Sequence, residues 1–222
     1  MFEDRFEAGQ VLAEKLAHYQ GRRDVVVLAL PRGGVPVAFE VAKFLRARLD
    51  VFLVRKLGWP LQPELAMGAI AQGGVRILHD DVVEQLSVPE YVIERVADQE
   101  ARELARQQEL YRPGQAPPDV AGRIVVLVDD GLATGSTMRA AVEALRSRRP
   151  SRLVVAVPVG APQTCAEFSE LVDEAVCAAE PEDFRAVGMW YRDFSPTADD
   201  TVIHLLEEAE HWAPSSMSHQ PV

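Results

Sequence analysis

The sequence predicts an α/β fold, a parallel twisted sheet flanked by helices. Three observations carry this. Apolar residues fill whole runs at 25–30, 124–128 and 153–157 instead of alternating, turn residues bound each run, and between the runs apolar residues return at helical spacing. A strand covered on both faces reads as such a run, and helices crossing between parallel strands supply the cover. In chain order, residues 25–30 form the first strand, which Pro31-Arg32-Gly33-Gly34 breaks. Val37, Ala38, Val41, Phe44 and Leu45 then define one face of a helix. Residues 51–54 make a second strand, and residues 66–70 and 75–78, parted by Gln72-Gly73-Gly74, read as a short hairpin. Residues 89–112, rich in Glu, Arg, Gln and Ala and opening at Pro89, predict one long exposed helix. Its acids and bases alternate, as on a solvated helix, and the Pro-rich stretch 113–118 returns the chain to the core. After the strand at 124–128, Met138, Ala141, Val142 and Leu145 mark another helix. Strands at 153–157 and 175–178 follow, with a helix at 161–171 between them. A last helix at 199–211 buries Val202, Leu205, Leu206 and Ala209, and residues 214–222 read as a disordered tail. Residues 1–213 are thus expected to form one domain, with 89–118 as a helical insertion and linker.

At 222 residues, 48% apolar and 26% charged, the chain can bury a core without staples. Its net charge of −11 argues against a duplex-binding protein, because that affinity rests on clustered Lys and Arg neutralising phosphates. A local basic pocket for a small polyanion remains compatible with it. Cys165 and Cys177, twelve positions apart with no ligand pair nearby, indicate neither a disulfide framework nor a zinc site and read as two buried hydrophobes. The first residues show no basic head followed by an apolar run, and no stretch of 18 apolar residues occurs, so a cytoplasmic protein without a membrane partner is expected.

The most informative string is Asp129-Asp130-Gly131-Leu132-Ala133-Thr134-Gly135-Ser136-Thr137, set between a buried strand and an amphipathic helix. Free N–H groups of Thr134 to Thr137 and the positive end of the helix dipole make a phosphate cradle there, and the Thr134, Ser136 and Thr137 hydroxyls add donors. Two adjacent carboxylates would repel a polyphosphate but accept hydrogen bonds from a ribose diol. The Walker A pattern fails for want of a lysine after Gly135, and the Rossmann glycine spacing is missing. No Ser-His-Asp or Cys-His nucleophile accompanies the string.

This string, with Val128 before it, resembles the phosphoribosyl pyrophosphate signature of type I phosphoribosyltransferases. Across its length the chain is similar to the bacterial group known only as predicted phosphoribosyltransferases. The resemblance implies that fold with a small hood and a long helical insertion. It implies that Asp129 and Asp130 hold the ribose hydroxyls and that Ala133, Thr134, Gly135, Ser136 and Thr137 wrap the 5′-phosphate. Leu30-Pro31-Arg32-Gly33-Gly34-Val35 resembles the family's pyrophosphate loop, with Arg32, Gly33 and Gly34 binding pyrophosphate and a non-proline cis peptide expected at Pro31-Arg32. Arg55-Lys56 matches a similar pair in the family. Lys56 is preferred for pyrophosphate, because a strand alternates faces and both side chains should not reach one ligand. Asp129, Asp130 and Lys56 are the expected catalytic residues; Mg²⁺ travels with phosphoribosyl pyrophosphate, and no direct metal ligand is assigned. Glu64 is left between a cleft-facing and a solvent-facing role.

Residues of about 180–198 resemble the hood that covers the acceptor base in purine-type members, which would bring Val187, Trp190 and Asp193 to the acceptor. Gly188 and Asp193 lie one residue farther apart than in the 6-oxopurine enzymes, and core packing by Phe184, Trp190 and Tyr191 is the competing role. Those enzymes also carry an aspartate where this chain has Ala133 and a lysine where it has Val157-Pro158-Val159-Gly160, so hypoxanthine and guanine are expected to be poor substrates. The 89–112 segment occupies the place of the family's flexible loop; Arg102, Arg106 and Arg112 would reach the ligand, or the helix serves as a homodimer arm. The implied activity is transfer of a phosphoribosyl group to a small nitrogenous acceptor with release of pyrophosphate. The alternative is a non-catalytic regulator that binds phosphoribosyl pyrophosphate or a nucleotide.

Overall fold

The apolar runs become the middle of a five-stranded parallel sheet of order β2-β1-β6-β7-β8. The computed structural model describes residues 1–212 apart from the side chains of Pro63 and Glu64, so the expected tail at 214–222 and the role of Glu64 lie outside the described residues. The chain runs through α1 (Arg5–Lys15), β1 (Val25–Ala29), α2 (Gly34–Leu45), β2 (Arg48–Val51), β3 (Val54–Trp59), β4 (Gln62–Ala71) and β5 (Val75–Leu78). It continues through α3 (Asp80–Gln85), α4 (Glu90–Tyr111), β6 (Ile124–Val128), α5 (Ser136–Ser147), β7 (Arg152–Val159), α6 (Pro162–Leu171), β8 (Glu174–Ala179) and α7 (Asp199–Glu210). Strand alternation divides the core. Val25, Val27 and Ala29 of β1 pack with α1, α2 and α7, while Val26 and Leu28 pack with α5 and α6 on the other face. Strands β3, β4 and β5 form a separate antiparallel sheet.

Four expectations change. The run at 51–54 is not one strand: β2 ends at Val51 in the parallel sheet and β3 starts at Val54 in the antiparallel one. Phe52 and Leu53 make the crossing inside the core, and the buried Gln72 satisfies it, accepting from Leu53 N at 3.1 Å and donating to Val51 O at 3.3 Å. Arg55 and Lys56 therefore stand on β3 in the antiparallel sheet, not at the end of a strand at 51–54. The long helix is not exposed all round, because Ile93, Ala97, Leu104 and Tyr111 form a buried stripe along α4. Its Arg112 lies only 8% exposed, donating to Asp50 Oδ1 at 2.8 Å, to Glu210 Oε1 at 2.9 Å and to Leu49 O at 3.2 Å, so it fastens the insertion to β2 and α7 and does not reach a ligand. Finally, Cys165 and Cys177 are joined in a disulfide with Cα atoms 6.5 Å apart. The β7–α6–β8 crossover returns the chain beside itself, which brings the two residues together across their spacing.

Helix α1 is not among the elements expected from the apolar pattern. Asp4 caps it by accepting from Phe6 N at 2.8 Å and Glu7 N at 2.9 Å. It lies close against α2, where a Cβ on Gly9 would stand 2.6 Å from Val37 O and 2.9 Å from Glu40 Cβ. That approach carries the residue after the cap, Arg5, towards the carboxyl ends of the parallel strands.

Candidate active site

Two loops leave neighbouring strands and meet. From β1, Leu30 N–H donates to Val128 O at 2.9 Å, and the chain turns through a cis Pro31–Arg32 peptide into Gly33, Gly34 and α2. From β6 it passes to Asp129 and Asp130. The glycines make the meeting possible: a Cβ on Gly33 would overlap Asp130 Oδ2, and one on Gly34 would lie 2.8 Å from Val128 O and 2.9 Å from Asp129 Cα. The pyrophosphate-type loop and the acid pair are thus in van der Waals contact.

Arg5 completes the acid pair. Its Nε donates to Asp130 Oδ2 at 2.8 Å and its Nη1 to Ser195 O at 2.8 Å, with the guanidinium carbon 4.0 Å from the centre of the Phe194 ring. Tyr191 O–H donates to Asp130 O at 2.6 Å, and Asp129 Oδ1 accepts from Asp130 N at 2.9 Å. Burial, and then the Asp130 charge, hold Asp129 well above the usual carboxylate range. Burial also raises Asp130, although Arg5 pulls the other way. Asp4 and Glu7 carry the signal that would have located the helix start and put Arg5 in its first turn. Nothing local in the sequence pairs Arg5 with Asp130, 125 residues away.

The loop after the acids is anchored on three sides. Leu132 N donates to Val159 O at 2.9 Å, Ala161 N donates to Leu132 O at 2.8 Å, and Thr164 Oγ1 donates to Ala133 O at 2.7 Å. Gly135, with φ +71°, takes the left-handed turn into α5, and a Cβ there would press on Phe168 and Thr164. The main-chain N–H groups of Ala133, Thr134, Gly135, Ser136 and Thr137 find no acceptor among the described residues, and Thr134 Oγ1 and Ser136 Oγ stand 3.1 Å apart beside them. An N-terminal helix turn with free donors and exposed hydroxyls is the expected anion cradle.

Lys56 borders two cavities. One, of about 620 Å³, runs between Pro31, Thr137, Trp59 and α4; the other, of about 370 Å³, adjoins Thr134, Ser136 and His79. Arg55 lines the first cavity as well, against the expectation from strand alternation, but its Nε donates to Glu100 Oε2 at 2.7 Å. Along α4, Arg95, Gln99 and Gln107 face this cavity; Arg102 and Arg106 border an outer one, and Arg106 is paired with Glu103. Arg32 is half exposed, its Nη1 4.0 Å from Asp199 Oδ1 at the start of α7.

In the hood, a single turn at Val187–Trp190 puts Val187 against Gly131, where a Cβ would collide with it. Trp190, Phe184 and Val187 are partly buried and pack around Tyr191, Ala8 and Val159. The Trp190 Nε1–H is buried without a partner among the described residues. Asp193 lies exposed on its own turn, accepting from Ser195 N at 2.9 Å and Ser195 Oγ at 2.6 Å, bonds that lower its carboxyl below the usual range.

Residues 4–185 match the family model of the phosphoribosyl transferase domain. The chain belongs to this family. The domain is 49% identical over 209 residues to a protein named "Putative phosphoribosyl transferase" from Mycobacterium tuberculosis, covering 94% of this chain and 47% of that protein. The chain thus spans about half the length of that curated relative. It is 34% identical over 129 residues to "Bifunctional protein PyrR" of Chloroflexus aurantiacus, covering 57% of this chain and 65% of that one. Among solved structures, TT1426 from Thermus thermophilus is 42% identical with a TM-score of 0.85, covering 96% of this phosphoribosyl transferase domain and 100% of that chain. No helix among the described residues is long and apolar enough to cross a membrane.

Proposed function

We propose that this phosphoribosyl transferase domain binds phosphoribosyl pyrophosphate with its Mg²⁺ and transfers the phosphoribosyl group to a small nitrogenous acceptor, releasing pyrophosphate. One observation carries the reading: the half-buried Asp129–Asp130 pair touches the Gly33–Gly34 turn on one side and leads into five free N–H groups on the other. A diol bracketed by two anions is the ligand whose chemistry matches that order. In the proposed reaction the anomeric C–O bond to pyrophosphate breaks with its electron pair leaving on oxygen, C1 gains oxocarbenium character, and an acceptor nitrogen forms the new bond. Asp129 and Asp130 fix the ribose and face developing positive charge; Arg32 and Lys56 stabilise the departing anion. Mg²⁺ would enter with the substrate, as a hard cation that prefers oxygen ligands and retains water.

The test is incubation with phosphoribosyl pyrophosphate, Mg²⁺ and a panel of bases and amines, following pyrophosphate release and product mass. Release with a matching ribosylated product is the expected result. Binding without release for every acceptor would favour the non-catalytic regulator, and absence of binding would overturn both readings.

A further inference from the structure

Cys165, Cys177 and Glu180 form a cluster that the proposed reaction does not use. Their candidate ligand atoms all lie within 4.8 Å of one another. Cys165 is in the first turn of α6, where the helix dipole favours negative charge, while Cys177 is on β8 and Glu180 immediately follows it. Gly160 gives the sulfurs their room, since a Cβ there would overlap Cys165 Sγ and stand 3.3 Å from Cys177 Sγ. Cys165 is buried, Cys177 half-buried and Glu180 exposed, so the cluster opens to solvent on the Glu180 side.

We propose that, once the disulfide is reduced, Cys165, Cys177 and Glu180 bind one thiophilic divalent cation such as Zn²⁺, with water as the fourth ligand. The Cα separation of 6.5 Å serves a disulfide and equally lets two thiolates converge on one ion at Zn–S distances of about 2.3 Å. Two soft sulfurs and one carboxylate are a donor set that selects zinc over the magnesium expected in the cleft. The chemistry balances in two steps. A dithiol reductant gives two electrons and two protons to the disulfide, leaving two protein thiols and its own disulfide; the cation then displaces both thiol protons. Metal and disulfide are mutually exclusive occupants of the same sulfurs. This inference stands apart from the phosphoribosyl reading, because its readout is metal binding and not turnover.

The experiment titrates Co²⁺, and Zn²⁺ in competition, into the full chain under argon, before and after reduction by a dithiol that is then removed. The reduced protein should bind one equivalent of Co²⁺ with a thiolate-to-cobalt charge-transfer band that Zn²⁺ abolishes, and the oxidised protein should show no such band. Glu180→Gln, on the exposed side, should keep the band but weaken binding by at least about ten-fold, the lower end of what even an outer-sphere partner contributes. Cys177→Ser, checked for folding by circular dichroism, should lose it. The proposal is overturned by a reduced protein without the band, by equal binding in the oxidised state, or by a Glu180→Gln variant that binds as tightly as the parent. Should Cys177→Ser fail to fold, the comparison of oxidised and reduced parent with Glu180→Gln decides alone.

Discussion

Of the acid pair, the Arg5 guanidinium bonds Asp130 alone, and burial leaves both Asp129 and Asp130 harder to ionise than in the unfolded chain, where an aspartate titrates at about 3.9. The native state therefore holds protons that the unfolded state has released. The stability this gives is complete below the unfolded value and is lost as pH rises through the elevated native one. Asp129→Asn, which cannot ionise, should flatten that slope in urea midpoints measured across acid to neutral pH and should be at least as stable as the parent at neutrality. The same change removes an acceptor proposed for the ribose. Since hydrogen bonds to charged groups are worth about 1.5–3 kcal/mol, calorimetry should show about ten-fold or greater loss of phosphoribosyl pyrophosphate affinity. A variant that is both less stable and unimpaired in binding would assign Asp129 to the scaffold. Arg5 makes the converse case. Arg5→Gln leaves Asp130 without its cation and should cost about 1–3 kcal/mol in denaturation at neutral pH, a penalty that shrinks towards acid as Asp130 takes up a proton. The acid string was legible because its members are contiguous; Arg5 was not, because its meaning depends on a helix that must first dock.

At the scale of elements, α4 and its fastening divide charge into two kinds. Arg112 reaches Asp50, itself 2% exposed, whereas Arg106 pairs with Glu103 on an open helix face. Arg112→Ala should destabilise the fold by about 1–3 kcal/mol, because it leaves the buried Asp50 with only the Arg48 guanidinium, at 3.3 Å, as its cation, while Arg106→Ala should change it by less than about 0.5 kcal/mol. Guanidinium chloride midpoints for the two variants test the contrast, and equal effects would overturn it. The strands at 124–128 and 153–157 were readable because both faces are covered, so hydrophobicity alone marks them. The switch of sheets at Phe52 was hidden because an apolar run says nothing about which sheet it joins; the residue that resolves it, Gln72, lies nineteen positions on from Leu53. Helix α1 was hidden for another reason. Its buried face is Ala8, Gly9, Leu12 and Ala13, of which all but Leu12 are small and give close contact but little hydrophobic contrast.

For the whole molecule, the proposed reaction turns on what enters opposite pyrophosphate. Ala133 has no group to move a proton, its carbonyl is taken by Thr164, Val159 O accepts from Leu132 N, and Gly160 N donates to Ala179 O. Hypoxanthine and guanine should therefore turn over far below the usual range of about 1–1,000 per second, measured by pyrophosphate release at saturating phosphoribosyl pyrophosphate. Turnover within that range would show that the loop manages the purine proton without an acid at position 133. The Arg5 contacts carry a consequence of another kind, for synthesis. The sheet neighbours β2, β1 and β6 are all present once residue 128 has left the ribosome, but the bond from Arg5 to Ser195 spans 190 positions and must wait for nearly the whole chain. During translation the aspartates are thus made long before the hood that seals the Arg5 guanidinium in place, so a ribosome stalled after β8 and before Ser195 would display all five strands with an unfinished pocket.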